Sequence, residues 1–155
     1  MVKIYFKRLH PLAKAPYRAH PTDAGADLYA ATCRPAGDYS FVGCNVSVVE
    51  YGTGLAFSIP RGMAWELKSR SSIWKMGMCM CNGSGLFDES FHLEARAYFY
   101  QFNPVKKYAV GDRIAQFVLM PYVDPREIEF VDVGDGDLPT YGQDREGGVG
   151  STGLK

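Results

Sequence analysis

Five polar segments that contain glycine, or that flank glycine-containing turns, hold the side chains best suited to chemistry. They are residues 23–28, 60–62 together with 69–72, 82–88, 111–116 and 145–153. Arginine side chains, hydroxyls and the N–H groups of glycine-rich turns suit the binding of a phosphate-bearing anion. A carboxylate held on a tight turn, such as Asp88, can take a proton from a water molecule. Each segment on its own is better explained as a surface turn.

Strands must position these segments, because period-two alternation of apolar residues recurs along the chain and helical periodicity is scarce. Alternation or dense apolar runs predict strands near residues 1–8, 55–59, 93–100, 113–123 and 128–133. The best helix candidate is short, around residues 71–76. Glycine, proline, asparagine and aspartate punctuate the runs at short intervals. The sequence therefore predicts an all-β sandwich or barrel, followed from about Gly134 by a glycine-rich segment with few apolar residues.

Composition excludes several classes of protein. The 155 residues suit one domain, and 46% hydrophobic with 22% charged residues is typical of a folded, soluble chain. Lysine plus arginine equals aspartate plus glutamate at 17 each, so the basic excess of most nucleic-acid-binding proteins is missing. We expect no direct nucleic-acid binding and no membrane insertion. Without an export signal, a cytoplasmic location is expected, in the host cell if the source is viral.

Metal binding through cysteine or histidine is not indicated. Cys79 and Cys81 lie too close together for the usual zinc spacing, and the sequence has no second closely spaced cysteine pair to complete a site. His10, His20 and His92 show no metal-ligand spacing. Reduced thiols and surface or hydrogen-bonded histidines are the expected states.

In their order and spacing, the five segments resemble the five motifs of the trimeric dUTP pyrophosphatase (dUTPase) family, as a divergent member. The phrases at residues 112–116 and 150–153 are close to verbatim, and Asp88 follows a Gly-apolar-apolar triplet. The resemblance spans nearly the whole chain. It implies an all-β jelly roll of the β-clip type over residues 1–134. Residues 135–155 would form a flexible glycine-rich arm that closes over the active site.

The resemblance also implies a reaction and a set of roles. The reaction is Mg²⁺-dependent hydrolysis of dUTP to dUMP and pyrophosphate, which keeps uracil out of DNA, with Asp88 activating the attacking water. Asp27 would act indirectly, through water or on a neighbouring arginine, and no protein side chain would bind the metal directly. The residues implied for the base and sugar are Asn82, Gly85, Phe91 and Val149. Those implied for the phosphates are Arg70, Ser71, Ser72, Gln116, Arg145, Gly148, Ser151 and Thr152. Active sites would lie between the subunits of a homotrimer.

Three departures from the family pattern leave other substrates open. Leu93 stands where the family has glycine, and Val149 stands where it has a phenylalanine over the base. The arginine of the last motif is displaced by one position, to Arg145. One alternative is a related enzyme for another pyrimidine triphosphate, either a dCTP deaminase using Glu89 or Glu94 or a hydrolase of modified dUTP. Another is a weakly catalytic, regulatory nucleotide-binding homologue.

Overall fold

A computed structural model describes residues 1–41 and 44–139 of the chain. Its regular elements in these residues are ten strands and two short 3₁₀ helices. In chain order they are β1 (Tyr5–Arg8), β2 (Gly25–Tyr29), β3 (Thr32–Phe41), β4 (Cys44–Gly52), β5 (Leu55–Ser58), β6 (Met63–Ser69), a 3₁₀ helix (Ile73–Met76), β7 (Met78–Met80), β8 (Ser84–Phe87), β9 (Arg96–Gln101), β10 (Arg113–Pro121) and a second 3₁₀ helix (Pro125–Glu127). The all-β prediction is confirmed.

All strand pairs are antiparallel, and they form two four-stranded sheets and one two-stranded ribbon. The strand orders are β2-β10-β6-β8 in one sheet, β3-β4-β9-β7 in the other, and β1-β5 in the ribbon. Side chains from both sheets contribute to a single buried core, which includes Tyr51 and Phe99 on one side and Leu67 on the other. Two sheets facing one core form the expected jelly roll.

An aromatic stack carries this core outward to strand β8. The Trp65 ring lies parallel to that of Phe87 at 4.0 Å and nearly parallel to that of Phe117 at 4.6 Å, while Phe57 meets Trp65 edge-on at 5.2 Å. Trp65 is fully buried, so the stack contributes both apolar burial and ring–ring contact. Phe87, the last residue of β8, is thereby held firmly where the chain turns toward Asp88.

The predicted strand at residues 128–133 is wrong, because residues 122–139 contain no strand. A short 3₁₀ helix, Pro125–Glu127, lies just before this segment, and the Ile128 N–H donates to the Pro125 carbonyl at 3.3 Å. Phe130 and Val131 are exposed. Alternation predicts a half-buried face, but a strand also needs an edge to pair with. The predicted helix at residues 71–76 is a single 3₁₀ turn, Ile73–Met76.

The chain divides into two compact units, residues 1–124 and residues 125–155, the second described only to residue 139. The division into a domain of residues 1–134 and an arm of residues 135–155 stays a prediction. Within the described ranges, no helix has the length and apolar character needed to cross a membrane. The cysteines whose side chains are described, Cys33, Cys79 and Cys81, are free.

Candidate active site

The buried Asp27 side chain lies at the centre of a partly exposed cluster of polar side chains. Its Oδ1 accepts hydrogen bonds from Arg70 Nε at 3.1 Å and from Gln116 Nε2 at 3.3 Å. Its Oδ2 accepts from Arg113 Nη1 at 3.0 Å. The Asp27 side chain is 8% exposed, against 25% for Arg70 and 39% for Arg113. One carboxylate therefore orients two guanidinium groups that remain partly open to solvent.

Strand pairing assembles this cluster. Asp27 on β2 is paired with Gln116 on β10, and Gln116 is paired on its other side with Lys68 on β6. Arg70 follows directly after β6, and Arg113 is the first residue of β10. Because antiparallel neighbours on one face of a sheet lie side by side, this register brings the four side chains together.

Ser71 and Ser72 follow Arg70 in a turn that leads into the first 3₁₀ helix. The Ile73 N–H donates to the Arg70 carbonyl at 3.0 Å, and the Lys75 N–H donates to the Ser72 carbonyl at 3.0 Å. The Ser71 side chain is exposed and Ser72 is half-buried. The Ser72 hydroxyl makes no capping hydrogen bond to the helix, which leaves it available to a ligand.

Asn82, Gly85 and Phe91 line one open cleft of about 570 Å³, a volume suited to a small organic ligand. The hairpin needs glycine at two places. A Cβ at Gly85 would lie 3.0 Å from the ring of Phe87, and Gly83 has a φ of +67°, which other residues rarely adopt. The hairpin backbone can therefore approach a ligand closely.

Asp88 is exposed and lies in the turn between Phe87 and Phe91, two residues that line the cleft. The Phe91 N–H donates to the Asp88 carbonyl at 3.1 Å and closes the turn. The rings of Phe87 and Phe91 meet edge-on at 4.9 Å, and Phe87 is stacked on Trp65. Both ends of the turn are thus anchored to the core while the carboxylate faces solvent.

Arg113, Arg96 and Tyr98 also belong to these two clusters without a predicted role, and Glu94 had one only as a candidate for deamination. Arg113 lies within a recognised segment, yet its place beside Asp27 follows only from the β2–β10 register. Glu94, Arg96 and Tyr98 also line the cleft. Glu94 Oε2 accepts from Arg96 Nε at 2.8 Å, and its Oε1 accepts from the Gly54 N–H at 2.8 Å. Arg96 and Tyr98 alternate along a predicted strand, and this alternation was the sequence signal that could have placed both side chains on one face.

The Asp27 cluster and Asp88 lie toward opposite ends of strand β6. Phe87 is paired with Trp65, and Arg70 lies five residues further along the chain. At about 3.3 Å per residue, roughly 17 Å of strand separates the Arg70 position from the Asp88 turn. The Arg70 position and the Asp88 turn are therefore separated by most of the length of strand β6.

The remaining predicted site residues lie outside the described ranges. They are Arg145, Gly148, Val149, Ser151 and Thr152. In the part of the chain that the structure describes, there is no cluster of three or more His, Cys, Asp or Glu side chains able to hold a metal ion.

Comparison with known proteins gives a consistent result. The dUTPase family model matches residues 12–153. A deoxyuridine 5'-triphosphate nucleotidohydrolase of Corynebacterium jeikeium is 34% identical over 154 residues, covering 95% of this chain and 90% of the relative. One from Mycobacterium leprae is 32% identical over 151 residues, covering 94% and 92%.

A solved structure supports the fold. The dUTPase of Staphylococcus bacteriophage 80alpha with dUpNHpp superposes with a TM-score of 0.73 at 23% identity, covering 98% of this chain and 99% of the phage chain. At that identity the structural similarity supports the fold alone. The family model and the relatives above 30% identity support common descent. The chain belongs to the dUTPase family.

Proposed function

We propose that this protein is a dUTP diphosphatase, which hydrolyses dUTP to dUMP and pyrophosphate and so keeps uracil out of DNA. The observation that carries the proposal is the exposed Asp88 carboxylate, in a closed turn whose flanking residues line a nucleoside-sized cleft. Named relatives at 32–34% identity hydrolyse the same substrate. A cleft with a carboxylate at its rim, on this family's fold, supports nucleotide hydrolysis.

Asp88 acts as the general base. A water molecule placed between this carboxylate and the α-phosphorus gives its proton to Asp88 as its oxygen bonds to phosphorus. The bond from the α-phosphorus to the bridging oxygen breaks, and the electron pair leaves with pyrophosphate. An exposed carboxylate on an anchored turn serves this step by its position.

Arg70, Ser71, Ser72 and Gln116 hold the triphosphate. The guanidinium of Arg70 is oriented by Asp27, so less side-chain freedom is lost when it binds phosphate oxygens. By resemblance to the family, Arg145, Gly148, Ser151 and Thr152 add contacts from the arm, with Val149 over the base.

The donor set suits Mg²⁺ bound through phosphate oxygens and water. Both oxygens of the Asp27 carboxylate already accept hydrogen bonds from Arg70, Arg113 or Gln116, so Asp27 fits a role through water or through those arginines. When bound, Mg²⁺ would supply positive charge beside the phosphates, and so would stabilise the negative charge on the departing pyrophosphate. A solved dUTPase of phage phi11 of S. aureus holds a structural Mg(II) ion, which supports metal use in the family.

Asn82, Gly85 and Phe91 select the nucleoside. Backbone groups of the hairpin present a fixed pattern of donors and acceptors to a pyrimidine edge, and the Phe91 ring stacks on the deoxyribose, leaving little room for a 2′-hydroxyl. Phe91 lacks the hydroxyl of the family's usual tyrosine but keeps the ring face that this contact needs.

The working enzyme is a homotrimer with composite active sites. The support comes from the separation of Asp88 and Arg70 along β6, which favours a site to which different subunits contribute these two residues. One subunit then contributes the hairpin and Asp88, a second contributes the Arg70 cluster, and the third closes its arm.

Mixing two inactive variants tests the composite site. Asp88→Asn and Arg70→Ala each disable a site alone, but co-expression of the two should restore activity. With random assembly from equal amounts, about one quarter of the sites draw both intact residues from different subunits. The measurement is the rate of pyrophosphate release by the purified mixture, at fixed total protein.

The matched control combines Asp88→Asn with Asp88→Ala, a mixture that restores nothing under any arrangement. Activity of the first mixture no higher than that of the control means that one chain supplies both residues.

Product analysis separates this function from its nearest rivals. We expect pyrophosphate and dUMP from dUTP, with slower turnover of dCTP and of 5-substituted dUTPs, and no ammonia from any of them. Preference for a 5-substituted dUTP moves the assignment to a modified nucleotide, and ammonia from dCTP moves it to deamination. Deamination is disfavoured, since both Glu94 oxygens are engaged by Gly54 and Arg96 and a Glu89 oxygen is engaged by Gly62.

A further inference from the structure

Glu89, the residue after Asp88, ties the Asp88 turn to a distant loop. Its Oε2 accepts a hydrogen bond from the Gly62 N–H at 3.0 Å. Gly62 lies in the turn between β5 and β6, and its carbonyl accepts from the Tyr122 N–H at 3.2 Å. Both backbone polar groups of Gly62 are thus hydrogen-bonded, the N–H to Glu89 and the carbonyl to the segment after β10.

The backbone at Gly62 makes this contact specific. Its φ of +76° lies in the left-handed region that favours glycine, so a residue with a side chain would be strained there. A further tie comes from Arg61, whose guanidinium lies 3.6 Å from the Asp124 carboxylate. These contacts restrain the loop at residues 60–62, and the hydrogen bond from Gly62 to Glu89 attaches the Asp88 turn to this restrained loop.

Tyr122 adds a second contact to Glu89. Burial raises the pKa of the Tyr122 hydroxyl above its ordinary value, and the charge and hydrogen bonding of Glu89 raise it further, with smaller contributions from Asp124 and Asp88. Glu89 thus interacts with two segments: it accepts a hydrogen bond from the loop before β6, and it raises the pKa of Tyr122 in the segment after β10.

The remaining contacts of the turn leave one motion open. The Phe91–Asp88 hydrogen bond closes the turn, and the Phe87–Phe91 contact fixes its base. These contacts hold the shape of residues 88–91 but not the tilt of the turn as a unit over the cleft. A side-chain bond from the turn to a separate loop restrains that tilt.

We propose that Glu89 is a positioning residue, which sets the place of the Asp88 carboxylate through its hydrogen bond with the Gly62 N–H. This inference rests on the proposed role of Asp88. A carboxylate displaced by about 1 Å from the attacking water can lose on the order of 100-fold in rate. Substrate binding, which depends on other residues, changes little.

Two substitutions separate reach from charge. Glu89→Gln keeps the length and an acceptor for the Gly62 N–H but removes the charge, and its amide can donate to the Tyr122 oxygen. Glu89→Asp keeps the charge but is one methylene shorter. We expect Glu89→Gln to retain kcat within about threefold and Glu89→Asp to lose about 10- to 100-fold in kcat, with KM within about threefold in both.

Tyr122→Phe removes one of the two contacts and should lower kcat by less than Glu89→Asp does. In the double variant the two losses should be less than additive, because both residues act through one contact. A loss of kcat in Glu89→Gln that is absent from Glu89→Asp assigns the effect to charge and overturns the proposal. Unchanged kcat in Glu89→Asp, or a change confined to KM, overturns it as well.

Amide hydrogen exchange provides a readout that does not need turnover. Glu89→Asp should speed exchange of the Gly62 and Phe91 N–H groups, and Glu89→Gln should not. Unaltered exchange in Glu89→Asp contradicts the proposed contact. If the wild-type protein releases no pyrophosphate from dUTP, the proposed function fails, while the exchange data still decide whether Glu89 restrains the turn.

Discussion

Replacing Asp88 by asparagine is expected to lower kcat for pyrophosphate release from dUTP by about 1,000-fold. Asparagine fills the same space but cannot accept the proton that the attacking water must lose, and general bases contribute roughly 100- to 10,000-fold to such reactions. Asp88 is exposed and its turn is closed by a backbone hydrogen bond, so the exchange should not disturb the fold. The assay is single-turnover hydrolysis at saturating enzyme.

Binding of a non-hydrolysable α,β-imido analogue of dUTP provides the companion measurement. Its Kd should change by no more than about threefold, because Asn82, Phe91 and the Arg70 cluster remain. A suitable control is Asp38→Asn, an exposed aspartate on β3 in the other sheet, bonded to Ser47 at 2.7 Å. Near-normal turnover in Asp88→Asn would remove this carboxylate from the mechanism. Tight binding without turnover in the wild type would favour the regulatory homologue.

Replacing Asp27 by alanine is the second substitution with a large expected effect. It leaves Arg70 and Arg113 facing each other without the carboxylate that holds them at 3.1 Å and 3.0 Å. The guanidinium of Arg70 then loses its orientation toward the phosphates, and kcat/KM should fall by about 100-fold, mainly through KM.

A loss of stability should accompany the loss of activity. Removing one partner of a buried ion pair costs several kcal/mol, but Arg113 is more than a third exposed and solvent screens part of the charge. We expect the free energy of unfolding to fall by about 1–3 kcal/mol, as measured by urea denaturation of the assembled protein.

Asp23→Ala is the matched control for Asp27→Ala. Asp23 lies four residues earlier, and its carboxylate accepts a local hydrogen bond from the His20 N–H at 2.9 Å. This variant should lose stability slightly and keep kcat/KM. An Asp27→Ala protein that is less stable but equally active, assayed well below its Tm, would restrict Asp27 to a structural role.

Local pattern in the sequence was enough for the fold class and for the hairpin. Alternation predicts strands because side chains of a strand point to opposite faces in turn, and that rule needs no knowledge of the partner strand. Asn82, Gly85 and Phe91 reach one cleft because they belong to one short hairpin. The order of five motifs likewise identifies the family, since it is a property of the chain itself.

Contacts between residues that are distant in the sequence could not be predicted from local pattern. Asp27 meets Arg70 and Arg113 across 43 and 86 residues, and that meeting depends on which strands pair and in which register. The Glu89–Gly62 bond depends in the same way on the fold, because it joins a hairpin to a loop 27 residues away. A one-residue slip of register would reverse every side chain of a strand, and local alternation does not report it.

The segment at residues 128–133 also shows that local sequence does not report strand pairing. Its residues are apolar and β-branched enough for a strand, yet a strand forms only where an unpaired edge accepts its N–H and C=O groups. By itself the sequence determined the all-β fold class, which residue is suited to act as the base and which family the chain belongs to. The tertiary structure alone decided which strands pair, which arginines one aspartate orients, and that Asp88 and Arg70 lie apart in a single chain. Those outcomes follow from hydrogen-bonded register between distant segments, which no local window of sequence contains.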